Sequence, residues 1–169
     1  MNQAFIDGQN LIYSARNDKQ SWDIDLAKFR FYLLRKYNVD KAYYFIGYYE
    51  KKNSELYNTI KNANFHIIFR EHATGMKSIK KGNVDTDIVF EIMRKISDRE
   101  DFDKIVLVSG DGDYYKMVNY LINKNKFMRL LAPSEKRMSS LYRKLGSNRY
   151  MFLDRKEIKK KIGKNAGSA

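Results

Sequence analysis

Apolar residues follow two alternating rhythms along this chain. Short runs rich in β-branched and aromatic residues read as strands, and between them apolar positions recur every three or four residues, as on one face of a helix. Residues 3–6 form the first run, which ends at Asp7-Gly8, a pair common in turns. Residues 24–37 read as a helix, with Leu26, Phe29, Leu33 and Tyr37 on one face and Ser21 or Asp23 able to cap its start. The pattern then predicts a strand over 42–48, a helix over 54–63 and a strand over 65–69. Residues 75–82 are polar and basic and read as a loop. A helix over 83–96 carries Val84, Ile88, Ile92 and Ile96 at steps of four. A strand over 104–108, a helix over 114–123, a strand over 127–131, a helix over 134–145 and a short strand over 150–153 complete the alternation.

Strands that alternate with helices imply an α/β protein, a three-layer α/β/α sandwich around a central, mostly parallel sheet. Ligands of such sheets bind beyond the carboxyl ends of the strands, where the strand order reverses. Acidic residues gather at just such places. Asp7-Gly8-Gln9-Asn10 follows the first strand, and Ser109-Gly110-Asp111-Gly112-Asp113 follows the apolar run Ile105-Val106-Leu107-Val108. A third group, Asp85-Thr86-Asp87, opens the helix over 83–96.

Each acid has an ordinary structural explanation when taken alone. Asp7 can start a turn, Asp85 and Asp87 can complement a helix dipole, and Asp111 and Asp113 can serve as turn and cap residues. Together these explanations persuade less. If the first and fourth strands are neighbours, Asp7, Asp111 and Asp113 converge on one edge. Packed carboxylates raise one another's pKa unless a cation neutralises them. For an all-oxygen site that cation is Mg²⁺ or Mn²⁺. Such ions promote phosphodiester hydrolysis by activating water and by stabilising charge on the leaving oxygen.

Composition narrows the alternatives. The chain has 169 residues, 43% of them hydrophobic, enough for one globular domain with a full core. Cysteine is absent, which excludes disulfides and thiolate zinc, and the two histidines, His66 and His72, argue against a histidine-rich metal centre. No Ser/His/Asp or Cys/His set and no P-loop is present, and Asp111-Gly112-Asp113 lacks the further oxygen ligands of an EF-hand. No apolar run approaches the roughly 20 residues of a membrane span. The first residues lack a signal-peptide pattern, so a cytoplasmic location without membrane attachment is expected.

The net charge of +13 is unevenly spread. Residues 116–169 hold 15 Lys/Arg and 3 Asp/Glu, whereas residues 1–115 hold 18 and 17. A basic surface attracts polyanions. Solubility alone explains such asymmetry less well. The domain is expected over 1–153, with 154–169 as a basic C-terminal tail, frayed from 163 onward.

Three motifs carry a resemblance. In order they are Phe5-Ile6-Asp7-Gly8-Gln9-Asn10-Leu11, Lys81-Gly82-Asn83-Val84-Asp85-Thr86-Asp87 and Val108-Ser109-Gly110-Asp111-Gly112-Asp113-Tyr114. The chain resembles NYN domains of the LabA/DUF88 type, a branch of the PIN-like nuclease superfamily, over about residues 3–153. The resemblance implies a sheet in order 3-2-1-4-5 and a metal-dependent ribonuclease site. By motif position it implies Asp7, Asp85, Asp111 and Asp113 as the catalytic, metal-binding acids. Asn10 and Ser109 would support them, and Asp87 matches a less constant position. One departure is the turn before strand five, often Gly-Lys in the family and here Asn123-Lys124-Asn125-Lys126.

The expected function is therefore hydrolysis of RNA with Mg²⁺ or Mn²⁺. Lys80, Lys81, Lys116, Arg137, Arg143 and Lys144 are candidates for holding the RNA backbone. Single strands suit exposed aromatics such as Tyr13, Tyr49 and Tyr114, although core packing is the commoner use of a tyrosine. The main alternative is a non-catalytic PIN-like module that binds RNA or protein, with a homodimer allowed in either reading. A dehalogenase-type phosphatase would need a second Asp where Gln9 stands. A receiver domain would need an acceptor Asp where the chain has Arg70-Glu71-His72.

Overall fold

The structure, a computed structural model, describes residues 1–16, 21–71 and 84–164. Six strands, β1 (Asn2–Asp7), β2 (Val39–Ile46), β3 (His66–Phe69), β4 (Ile105–Val108), β5 (Phe127–Ala132) and β6 (Tyr150–Phe152), form one sheet in the order β3-β2-β1-β4-β5-β6. Every neighbouring pair is parallel. The helices are α1 (Gly8–Arg16), α2 (Leu26–Tyr37), α3 (Ser54–Asn62), α4 (Asp85–Ser97), α5 (Tyr115–Asn123) and α6 (Lys156–Ile162). The expected α/β sandwich and strand order are both present, with β6 extending the sheet by one parallel strand.

Alternation along the strands divides the core in two. Ala4 and Ile6 of β1 and Val106 and Val108 of β4 face Leu11, Phe29, Leu33, Ile60 and Ile158. Phe5, Ile105 and Leu107 face the other way, toward Ile88, Ile92, Val118 and Leu121. Burying each such side chain stabilises the fold by about 1.5–3 kcal/mol. The central strands are covered on both faces, so the stretches Ala4–Ile6 and Ile105–Val108 that lead to their carboxyl ends are wholly apolar.

Four helices turn into the following strand through a residue in the left-handed region: Asn38 (φ 52°), Asn64 (φ 63°), Arg99 (φ 53°) and Asn125 (φ 53°). Asparagine is the best substitute for glycine there. Asn125 therefore takes over the role of the glycine expected before strand five, and Lys126 N donates to Leu121 O at 2.8 Å.

Several expected elements are corrected. Asp7-Gly8 is no free turn: helix α1 starts directly at Gly8. A Cβ on Gly8 would lie 2.3 Å from Tyr44 Cε1 and 2.7 Å from the Phe45 carbonyl, so only glycine fits the close passage over β2. The start of α2 is capped by Asp25, which accepts from Lys28 N at 3.0 Å, in place of Ser21 or Asp23. Strand β2 begins three residues early because Asn38 turns the chain straight into it. Residues 134–145 hold no α-helix. A 3₁₀ segment, Ser140–Leu145, follows a turn, and Ser139 N bonds Gly110 O at 2.9 Å instead of a helical partner. Residues 156–162, placed in the tail by their charge, form α6, whose Ile158 and Ile162 are buried against α2.

Candidate metal centre

Strands β1 and β4 lie side by side, with Ile6 opposite Val108, and the strand order reverses there. Asp7 ends β1 and Ser109 follows β4, so the pairing sets the two side chains next to each other. Asp7 Oδ1 accepts from Asn10 N at 2.9 Å. Its Oδ2 lies 3.3 Å from both Ser109 Oγ and the Tyr114 hydroxyl. The Asn10 side chain in turn accepts from Gly110 N at 3.0 Å, tying the first turn of α1 to the loop after β4. Asn10 and Ser109 thus both touch the acid loop or Asp7.

The loop itself is shaped by its own hydrogen bonds. Ser109 Oγ accepts from Asp111 N at 3.1 Å, and Asp111 Oδ1 accepts from Asp113 N at 3.0 Å, capping a 3₁₀ turn over Gly112–Tyr114. A Cβ on Gly112 would come within 2.6 Å of Ser139 Oγ, so glycine allows the close approach of that segment. The Tyr142 hydroxyl donates to the Asp111 carbonyl. Tyr114, wholly buried, donates to Asp85 Oδ1 at 2.5 Å from the start of α4.

Asp85, Asp111 and Asp113 each offer a carboxylate oxygen within 4.8 Å of the others. Asp7 stands behind this triad, joined to it through Ser109 and Tyr114. Its hydrogen-bond partners are uncharged. Burial, with the nearby charge of Asp85, raises its pKa, while the Asn10 amide works against that rise. Burial, then the charges of Asp7 and Asp85, raises the pKa of Tyr114. Tyr142 is raised by burial and by Asp111, Asp113 and Asp85, so both phenols stay protonated donors. A hard divalent cation fits this donor set, which offers carboxylate oxygens and an uncompensated buried acid.

The family model for the NYN domain matches residues 3–152. This chain belongs to the NYN domain family. NYN domains belong to the PIN-like superfamily of nucleases. The chain is similar to the low amplitude and bright protein LabA of Synechococcus elongatus, at 23% identity over 137 residues, covering 76% of this chain and 71% of LabA. In fold it is similar to a protein of unknown function from Vibrio parahaemolyticus, with a TM-score of 0.74 at 18% identity, covering 96% of this chain and 95% of that one.

The remaining residues singled out in this NYN domain divide by position. Asp87 is not in the triad: its carboxylate lies 3.9 Å from Arg70. The Arg137 guanidinium sits 4.9 Å from the ring centre of Tyr13, and a Cβ on Gly110 would lie 3.2 Å from the Arg137 carbonyl, so this segment borders the acid loop. Lys116 is exposed on the first turn of α5. Arg143 and Lys144 are exposed on the 3₁₀ segment that carries Tyr142. Lys80, Lys81 and the loop read over 75–82 lie outside the described residues. Tyr13 and Tyr49 are exposed, but Tyr114 is buried and cannot stack on a base.

Sequence reasoning missed two residues that shape the site. The sequence offers Tyr114 as a stacking candidate, whereas in the fold it links Asp7 and Asp85. The pattern puts Tyr142 in a helix, whereas in the fold it is the partner of Asp111. Their immediate context carried no signal, since a tyrosine after an acid or beside a leucine is ordinary.

Proposed function

We propose that this NYN domain is a ribonuclease that hydrolyses single-stranded RNA with a bound Mg²⁺ or Mn²⁺. The observation that carries the reading is the triad of Asp85, Asp111 and Asp113 within 4.8 Å at the switch-point edge, backed by buried Asp7. These four acids would hold the ion directly or through water. When bound, the cation supplies activation of water and neutralisation of charge on the phosphodiester. The chain's own contribution is orientation. Tyr114 fixes Asp85 against Asp7, Asn10 and Ser109 fix the loop after β4, and Tyr142 holds the Asp111 backbone. Lys116, Arg137, Arg143 and Lys144 would hold the RNA backbone around this edge, adding salt-dependent affinity.

The test is cleavage of labelled single-stranded RNA with Mn²⁺, with EDTA and by Asp111→Asn. Cleavage is expected with Mn²⁺ alone and to fall at least about a hundredfold in the variant, as loss of an ion ligand does. Cleavage that persists in EDTA, or full activity in Asp111→Asn, would sink the proposal. A non-catalytic module would show no rise in melting temperature with Mn²⁺, whereas a cation held by the native acids must stabilise the fold.

A further inference from the structure

The acids open onto a cleft of about 590 Å³ among the described residues. Asp7, Asp85 and Asp111 line it together with Tyr13, Glu50, Asn53 and Tyr57. In a chain of net charge +13, no lysine or arginine is among its described lining residues. Among the described lining residues a phosphate meets acids and uncharged groups, and Glu50 would repel it. What the wall offers is an aromatic surface and hydrogen-bond acceptors.

These groups are held in place. Tyr13 is 59% exposed, with the Arg137 guanidinium 4.9 Å from its ring centre. The Tyr57 hydroxyl accepts from Glu50 N at 3.1 Å. Glu50 Oε2 accepts from the Asn53 amide at 2.8 Å, and Oε1 lies 3.4 Å from Lys52 on the solvent side. Lys52 is 76% exposed, and a pair so open to water holds its carboxylate weakly. Glu50 is an acceptor-only group at the cleft, free to exchange this partner for a ligand amine.

We infer that this wall is a subsite for a nucleobase carrying an exocyclic amine, with its ring on Tyr13 and its amino edge toward Glu50 and Asn53. The inference rests on the ribonuclease reading, because it places the base beside the phosphodiester that the acids would address. Cytosine presents an amino donor where uracil presents a carbonyl acceptor, so Glu50 separates two bases of equal size. Stacking on an exposed ring is tolerant of base identity, so Tyr13 supplies affinity and Glu50 supplies choice.

Labelled oligo(C) and oligo(U) of equal length are titrated with the intact protein in EDTA at fixed low salt. Cleavage then plays no part in the readout, and backbone charge is matched. Oligo(C) should bind about tenfold more tightly, the discrimination of one charge-assisted hydrogen bond, and Glu50→Gln should bring the two within about twofold. Tyr13→Ala should weaken both at least about fivefold, whereas Tyr13→Phe should not. Both side chains are exposed, and an unchanged melting temperature checks the fold. Equal binding by the wild type, or a preference that survives Glu50→Gln, overturns the subsite and leaves the ribonuclease reading standing. Binding of neither strand overturns both. A preference for oligo(C) without Mn²⁺-dependent cleavage supports the subsite and overturns the ribonuclease reading alone.

Discussion

Tyr114→Phe removes one oxygen atom from the buried centre of the acid site and leaves the ring that fills the core beneath it. The hydroxyl lies 2.5 Å from Asp85 Oδ1 and 3.3 Å from Asp7 Oδ2. A phenol donates a single proton, and the shorter contact shows that Asp85 receives it. Asp7 then faces the phenol oxygen with little compensation beyond Ser109 and the Asn10 amide. Without the hydroxyl, two buried carboxylates lose the donor that lies between them. A hydrogen bond to a charged acceptor contributes about 1.5–3 kcal/mol net. In a chain of this size each kcal/mol moves the melting temperature by about 2–4 °C, so a fall of about 3–12 °C is expected in EDTA.

The same substitution should weaken Mn²⁺ binding, because Asp85 loses the group that aims it. Loss of an outer hydrogen bond to a metal ligand costs about 10–100-fold in affinity. Thermal denaturation in EDTA and calorimetric titration with Mn²⁺ measure the two effects separately. A variant that melts within about 1 °C of the wild type in EDTA and keeps its Mn²⁺ affinity would refute the role given to this hydroxyl.

Two further substitutions are read through thermal stability in EDTA. Burial and Asp85 raise the pKa of Asp7, so its contribution favours the fold below the ordinary carboxylate range and turns unfavourable as pH rises through the raised value. Asp7→Asn should therefore melt higher than the wild type in EDTA at neutral pH, with the gain vanishing in acid. A lower neutral melting temperature would show that Asp7 is not a strained charge. Arg99 sits at φ 53°, a conformation costly for a residue with a Cβ. Arg99→Gly should stabilise by about 1 kcal/mol, raising the melting temperature by about 2–4 °C, and a fall would exclude backbone strain at that turn.

The fold was legible wherever hydrophobic rhythm and element type agree. Ile105-Val106-Leu107-Val108 can hardly be anything but a buried strand, and Ile88 and Ile92 mark the inner face of α4. Rhythm misled over 134–145. Met138, Leu141, Tyr142 and Leu145 are spaced as on a helix, yet Ser139 gives its amide to Gly110 and the segment is drawn against the acid loop. Charge misled over 156–162, where four lysines and a glutamate hide the two isoleucines that seat α6 in the core. Helix α1 was invisible because it begins without a loop. The close contact that lets it do so depends on Gly8, whose neighbours Tyr44 and Phe45 lie far away in sequence.

The acids themselves grade from the sheet outward. Asp7 and Asp85 are buried, Asp111 is half-buried and Asp113 is exposed. The Asp7 carboxylate meets the Asn10 amide, Ser109 and Tyr114, whereas the Asp111 carboxylate accepts from Asp113 N in the turn it caps. Inner acids are thus oriented by long-range contacts between β1, α4 and the loop after β4, and outer acids by local backbone. Local backbone chemistry is written in a short motif, which is why Asp111 and Asp113 were readable from Ser109-Gly110-Asp111-Gly112-Asp113. Long-range orientation depends on what the fold brings near, and a phenol donates equally well from many positions. A site of this kind announces its acids in sequence and conceals the groups that aim them, so the substitutions that discriminate best fall on residues such as Tyr114.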